Sequence, residues 1–136
     1  LHEYSGFYPV NRHFTFFAVN RAETSFGYKL GYFDQFMSGE RTSMSAFRYQ
    51  AFHANTLVTA GSGMILHGGA IPYVSARPGL VFWYEGGRFD LGSAGWATHQ
   101  SSSVALVFPT QVGATAFQLS FDENGKARFR LSLGSF

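Results

Sequence analysis

Hydrophobic and polar residues alternate with a period of two in several short runs of this chain, which is the pattern of half-buried β-strands. The clearest case is a hairpin near the C-terminus. Apolar residues alternate with polar ones over residues 117–121, Asn124-Gly125 supplies a tight turn, and the alternation resumes over residues 129–133. The pattern predicts that the apolar face of this hairpin packs against a core and that its polar face meets water.

Glycine and proline divide the middle of the chain, residues 58–90. Gly61-Ser62-Gly63 is predicted to end one strand, and Gly68-Gly69 to form a hairpin turn before a returning strand over residues 71–74. Pro78-Gly79 stops that strand. Residues 80–84 then read as a strand buried on both faces and closed by Glu85-Gly86-Gly87.

Other short runs extend the same pattern. Residues 13–19 and 26–37 are predicted strands, and residues 47–60 form the longest strand candidate, with neither face cleanly apolar. Residues 1–12 have no clear period and are predicted to form an N-terminal arm. With no helical period, the chain is predicted to be all-β, a single domain of residues 1–136 with about eight to ten short strands.

Composition limits the classes of function. The chain has 136 residues, 16 Phe, 7 Tyr and 2 Trp, which indicates an aromatic interior with room for a cavity. A net charge of +2 with thinly spread Lys and Arg argues against direct nucleic-acid contact. There is no cysteine, and no apolar run has the length of a membrane helix. Because the first residue is Leu1, the chain is expected to be a piece of a longer product.

The spacing of the turn residues resembles that of a known family. The residues that carry the resemblance are Gly61 and Gly63, Gly68-Gly69, Pro78-Gly79, Gly87 and Asp90. They resemble the cupin, and within it the sensor domains of AraC-type bacterial transcription regulators. The resemblance implies an antiparallel cupin-like (jelly-roll) barrel that binds a small-molecule effector and forms a homodimer. It further implies a cytoplasmic domain without membrane contact, whose DNA-binding helices lie elsewhere in the product.

Enzymatic cupins hold a metal through histidines and a glutamate, and this chain departs from that pattern. The paired-histidine positions fall near residues 44–48, where there is no histidine. The glutamate position falls close to His53, and the third-histidine position holds Asp90. These are too few ligands for a tight site. His67 and His99 have no visible partner in the sequence, so no catalytic residue, metal or cofactor is predicted.

Binding therefore remains as the expected activity. Aromatic rings supply contact area, while a histidine or an arginine fixes a polar or anionic group of a ligand. An arginine inside an apolar barrel needs a partner, so Arg88 is expected either at the surface or in the site. The predicted ligand-binding residues are Tyr49 and His53 on the long strand, Trp83, Arg88, Trp96, and Phe7 and Tyr8 on the arm.

Two alternatives stay open. One is a free-standing cupin that acts as a metal-dependent enzyme, and the other is an exported β-barrel that binds a lipid or a sugar. An outer-membrane barrel would end in a strand whose terminal aromatic shares the lipid face with alternating apolar residues. Phe136 is instead in register with Ser132 and Arg130, on the polar side of the last strand, which argues against that version.

Overall fold

The computed structural model describes residues 2–25, 36–38, 44–47, 52–69, 77–110 and 113–133. These residues form nine β-strands and one short 3-10 helix, Gly92–Ala94. The part of the chain described contains no helix with the length and hydrophobicity needed to cross a bilayer. The strands are β1 (His2–Pro9), β2 (Phe14–Thr24), β3 (Phe36–Ser38), β4 (Phe52–Ala54), β5 (Thr56–His67), β6 (Gly79–Asp90), β7 (Trp96–Thr110), β8 (Gly113–Asp122) and β9 (Ala127–Leu133).

Seven of these strands form one antiparallel sheet in the order β1-β2-β5-β6-β7-β8-β9, and β3 pairs with β4 separately. Each strand of the large sheet therefore pairs with the next large strand along the chain. The prediction of an all-β, antiparallel fold is confirmed. The prediction of a closed barrel is wrong for the described residues, because β1 and β9 lie at the two edges of the sheet and each pairs on one side.

Several segments differ from their predicted roles. Residues 2–9, expected to be part of an arm, form the edge strand β1 and pair along its whole length with β2.

The predicted Asn124-Gly125 turn is present, with Gly125 at a positive φ of 75°. Predicted strand residues 26–35, 48–51 and 71–74 lie outside the described part of the chain.

Glycines predicted to end strands instead lie inside them. Gly63 is within β5, and Gly87 is within β6. A Cβ added at Gly63 would lie 2.5 Å from Cζ of Phe17, so the Phe17 ring requires a residue without a side chain there. Glycine in a strand can mark such a close approach as well as a turn, and the sequence pattern does not distinguish the two.

The two faces of the sheet are defined by cross-strand pairing, because directly paired residues point to the same side. One face, called the inner face, contains Trp83, Ser103, Ser120 and Arg128, which pair in a continuous row. Its buried polar members are Glu23, Thr59, Glu85, Ser101, Ser103, Gln118 and Ser120. The opposite side is called the outer face.

The polarity of the two faces is the reverse of what the sequence predicted. In the C-terminal hairpin the polar Gln118 is 6% exposed, whereas the apolar Phe117 is 43% exposed and Leu133 is 69% exposed. In β6, Phe82 and Tyr84 are exposed on the outer face, so the prediction that residues 80–84 are buried on both faces is wrong. Period-two alternation establishes that the two faces differ, but it does not say which of them is enclosed.

The apolar core among the described residues is small and lies at one end of the sheet. Met44, Ala54, Leu57 and Phe89 are fully buried there, with Leu91 packed against them. Residues 44–47 and β4 belong to the connection between β2 and β5, and they lie over the inner face at this end. The buried polar residues of the inner face are not members of this cluster.

Candidate functional site

A buried carboxylate, that of Glu85, lies at the centre of the inner face. Glu85 is 8% exposed, and its Oε2 atom accepts hydrogen bonds from the backbone N–H of Ser45 (2.7 Å) and from Oγ of Ser101 (2.9 Å). Burying a charged group is costly unless hydrogen bonds replace its hydration. The ion pairs found between described residues join Arg21 to Glu23 and His99 to Glu123, and neither involves Glu85.

Residues 44–47 cross the inner face and are held at three points. Besides the bond from Ser45 N–H to Glu85, the indole Nε1 of Trp83 donates to Oγ of Ser45 (3.3 Å). Arg128 Nη1 donates to the backbone carbonyl of Phe47 (2.9 Å). Met44 begins the segment at a positive φ of 62°, which costs a non-glycine residue roughly 1–2 kcal/mol.

A second polar network continues across β7 and β8. Ser103 Oγ donates to Oγ of Ser120 (2.7 Å), and Gln118 Nε2 donates to the same oxygen (2.8 Å). All three side chains are buried. Each of these buried polar side chains therefore has a hydrogen-bond partner within the network.

His99 and Glu123 form an ion pair at the edge of the inner face. His99 Nδ1 lies 2.7 Å from Glu123 Oε1, and the backbone N–H of Gln100 donates to Oε2 (3.2 Å). Burial raises the pKa of Glu123, but hydrogen bonds from His99 and from the backbone N–H groups of Glu123 and Gln100 outweigh that effect and lower the pKa below its ordinary value of 4.5. The His99 ring also lies edge-on to Phe47 at 5.3 Å.

The outer face carries two adjoining rows of mostly large apolar residues, together called the apolar band. Phe82, Phe117 and Leu119 are among its exposed members. Towards the Thr24 and Asp90 ends of β2 and β6, the outer face changes to polar residues such as Asn20, Arg88 and Thr98. The first row is Tyr8, Phe16, Met64, Phe82, Val104, Leu119 and Phe129, and the second is Phe14, Leu66, Leu80, Leu106, Phe117 and Leu131.

The structure divides the predicted ligand-binding residues between the two faces. Phe7 and Trp83 are on the inner face, whereas Tyr8 is on the outer face, and these three residues contribute to the lining of one open depression of about 840 Å³. Arg88 and Trp96 form a separate pair on the outer face, with the guanidinium carbon 4.8 Å from the indole centroid. Arg88 is thus at the surface.

The last two predicted binding residues lie apart from these groups. His53 is half-buried in β4, opposite Met37 of β3. Tyr49 lies outside the described residues. The sequence missed Glu85, Ser45, Ser101 and Arg128, since their partners are 16 to 81 positions away along the chain.

The described side chains contain no group of three or more His, Cys, Asp or Glu residues placed to hold a metal ion. No family model, curated protein or solved structure matches this chain. The functional conclusion therefore depends on the geometry of the sheet itself.

Proposed function

We propose that this chain is a membrane-embedded β-sheet protein whose apolar band contacts lipid acyl chains and whose inner face lines a polar interior. The observation that supports the proposal is the reversed polarity of strands β6 to β9, whereas on β1 and β2 the inner face also carries the exposed apolar residues Phe7 and Val19. Along β8, the residues with exposed side chains are Phe117 and Leu119, while Gln118 and Ser120 are buried. Strands of membrane-spanning sheets alternate in this way, with apolar residues facing the lipid and polar residues facing inward.

Strand length agrees with the proposal. A strand that crosses the hydrocarbon core of a bilayer needs about 9–11 residues. The five inner strands β2, β5, β6, β7 and β8 have 11, 12, 12, 15 and 10 residues, whereas the edge strands β1 and β9 have 8 and 7. The exposed Tyr84 lies between the apolar band and the polar end of the outer face, which is where aromatic residues are enriched in such proteins.

Exposing the apolar band to water costs more free energy than exposing it to lipid. Monomeric proteins in water rarely expose contiguous apolar patches larger than a few hundred Å², and the apolar band extends over all seven strands of the sheet. Each Å² of that surface costs about 25 cal/mol in water. In lipid this cost disappears, and the polar groups of the inner face stay away from the hydrocarbon.

A membrane-embedded sheet cannot leave the backbone groups of its edge strands unpaired. Within hydrocarbon, each unsatisfied backbone N–H or C=O costs several kcal/mol. The outer edges of β1 and β9 must therefore be paired in the bilayer, with each other or with strands of another chain. This proposal departs from the cytoplasmic, membrane-free domain that the cupin resemblance implies.

A second candidate is the cupin-like sensor domain of an AraC-type regulator. The depression of about 840 Å³ that includes Phe7 and Trp83 favours it, because its size is suitable for a small effector. The homodimer partner would then cover the apolar band. A jelly roll joins its strands by Greek-key connections, whereas here the large strands pair in chain order, so we place this candidate second.

Reconstitution separates the two candidates. The protein is refolded from urea in the presence of phosphatidylcholine vesicles, floated on a density gradient and washed with alkaline carbonate. A membrane-embedded sheet stays with the vesicles, and the amides of β1 and β9 become protected from hydrogen exchange. A protein that remains in the aqueous fraction as a dimer of defined mass would support the sensor domain instead.

A further inference from the structure

We propose that Glu85, Trp83 and Arg128 form a saccharide-binding site on the inner face, and that residues 44–47 occupy this site as an internal plug. The inference rests on the proposed function, because it requires the inner face to line a polar interior. It goes further by assigning a ligand class and a means of controlling access.

The contacts of the plug are those that a hydroxyl-rich ligand would make. Ser45 presents an N–H donor to the Glu85 carboxylate and an oxygen acceptor to the indole N–H of Trp83. Phe47 presents an oxygen acceptor to the guanidinium of Arg128. A sugar hydroxyl can donate to a carboxylate and also accept from an indole N–H, so neighbouring hydroxyls replace the groups of Ser45 one for one.

The plug is a turn, in which the backbone N–H of Phe47 donates to the carbonyl of Met44 (3.0 Å). It presents the groups of Ser45 and Phe47 together to side chains of β6 and β9. A ring face can also pack on the half-buried indole of Trp83, as aromatic side chains commonly provide contact area in ligand sites. Ser101 continues to donate to Glu85 after the plug leaves, so the carboxylate keeps its orientation.

The plug has features of a segment that can be released. Ser45 and Phe47 are held by hydrogen bonds to three side chains. Met44 is fully buried in the apolar core but has an unfavourable left-handed conformation. Displacement would lose the burial of Met44 against Leu57 and Phe89, so the closed state is favoured until a ligand replaces the hydrogen bonds. Binding and opening are then coupled by population shift.

Thiol labelling tests this directly, because the chain has no native cysteine. Ala46→Cys places a thiol in the plug, and Ser93→Cys places one at an exposed position as a reference for full reactivity. Labelling by a maleimide is followed in detergent micelles. Ala46→Cys should react more slowly than Ser93→Cys, and adding Arg128→Ala should increase its rate about tenfold.

Ser103→Ala is the matched control, because Ser103 is on the inner face but bonds to Ser120 rather than to the plug. This change should leave the labelling rate of Ala46→Cys within about twofold of its starting value. Circular dichroism confirms that each variant keeps its β-sheet, and variants that do not are replaced by Arg128→Lys, which keeps the charge while weakening the bond.

The ligand class is tested with a panel of neutral and acidic mono- and disaccharides at millimolar concentration. At least one should accelerate labelling of Ala46→Cys several-fold, and Glu85→Gln should remove that effect. Acceleration by Arg128→Ala without any response to the panel would overturn the saccharide assignment. Equal labelling rates for all variants would overturn the assignment of residues 44–47 as a plug. Neither result affects vesicle flotation, so failure here is distinguishable from failure of the proposed function.

Discussion

The backbone N–H of Ser45 donates a 2.7 Å hydrogen bond to the carboxylate of Glu85, across 40 positions of sequence. This bond ties the connection between β2 and β5 to the buried side of β6. Ser101 of β7 donates to the same oxygen. One carboxylate therefore fixes the position of a loop and links two neighbouring strands.

The first prediction concerns the stability that Glu85 provides. Glu85→Leu should lower the free energy of unfolding by about 2–4 kcal/mol, because two buried donors lose their acceptor. Glu85→Gln keeps an acceptor oxygen and should cost about 1 kcal/mol, as should Ser101→Ala. Urea unfolding in detergent micelles gives these values. A Glu85→Leu variant as stable as the wild type would show that the network contributes no net stability.

The second prediction concerns the close packing at Gly63. Gly63→Ala should cost about 1–3 kcal/mol, because the new methyl group meets the ring of Phe17 and the backbone carbonyl of Phe82. Gly86→Ala is the matched control in the neighbouring strand, where a Cβ meets nothing within 4 Å. Its effect should stay within about 0.5 kcal/mol. Equal losses at the two positions would mean that strand glycines act through flexibility rather than through contact.

The third prediction concerns pH. The pKa of Glu123 is lowered in the folded state, so its ionised form stabilises the fold above the ordinary value of 4.5, and this stabilisation is lost as the pH falls through the lowered pKa. Because both side chains are about a third exposed, the contribution is below about 1 kcal/mol. The stability difference between wild type and Glu123→Gln should shrink between about pH 6 and pH 3. A stability difference that stays constant over that pH range would contradict the pairing of His99 with Glu123.

The fourth prediction concerns the apolar band. In a bilayer, Leu119→Arg should destabilise the folded protein by about 2–4 kcal/mol, because the charge enters hydrocarbon. Val58→Arg, on the same face near the polar end, should cost no more than about 1 kcal/mol. Reversible urea unfolding in vesicles measures both values. For a sheet in water, both changes would be surface substitutions with effects within about 0.5 kcal/mol.

The sequence predicts the secondary structure of this chain better than its packing. Alternation over residues 117–133 and the Asn124-Gly125 turn predict the β8–β9 hairpin correctly. The same alternation places Phe117 and Leu119 in a core, and that prediction is wrong. The reason is physical. A sheet with an apolar core and a sheet with a polar interior show the same alternation of apolar and polar residues, so the pattern does not say which face is buried.

The inner-face site could not be predicted in the same way. The sequence predicts that Glu85 belongs to a closing turn, because Gly86-Gly87 follow it, whereas β6 continues through them to Asp90. Its donors come from the β2–β5 connection and from β7, and Arg128 comes from β9. Their assembly depends on cross-strand register, which local sequence patterns do not specify. Trp83 was predicted as a ligand contact, and its hydrogen bond to Ser45 places it beside Glu85 in the network.

Depth-dependent quenching along β8 tests the central claim most directly. In a background of Trp83→Phe and Trp96→Phe, single tryptophans are placed in turn at residues 116–121, and the protein is reconstituted in vesicles containing brominated lipids. The account predicts strong quenching at positions 117, 119 and 121 and weak quenching at 116, 118 and 120. Uniformly weak quenching, or quenching that is strongest at the even positions, would contradict a lipid-facing outer face.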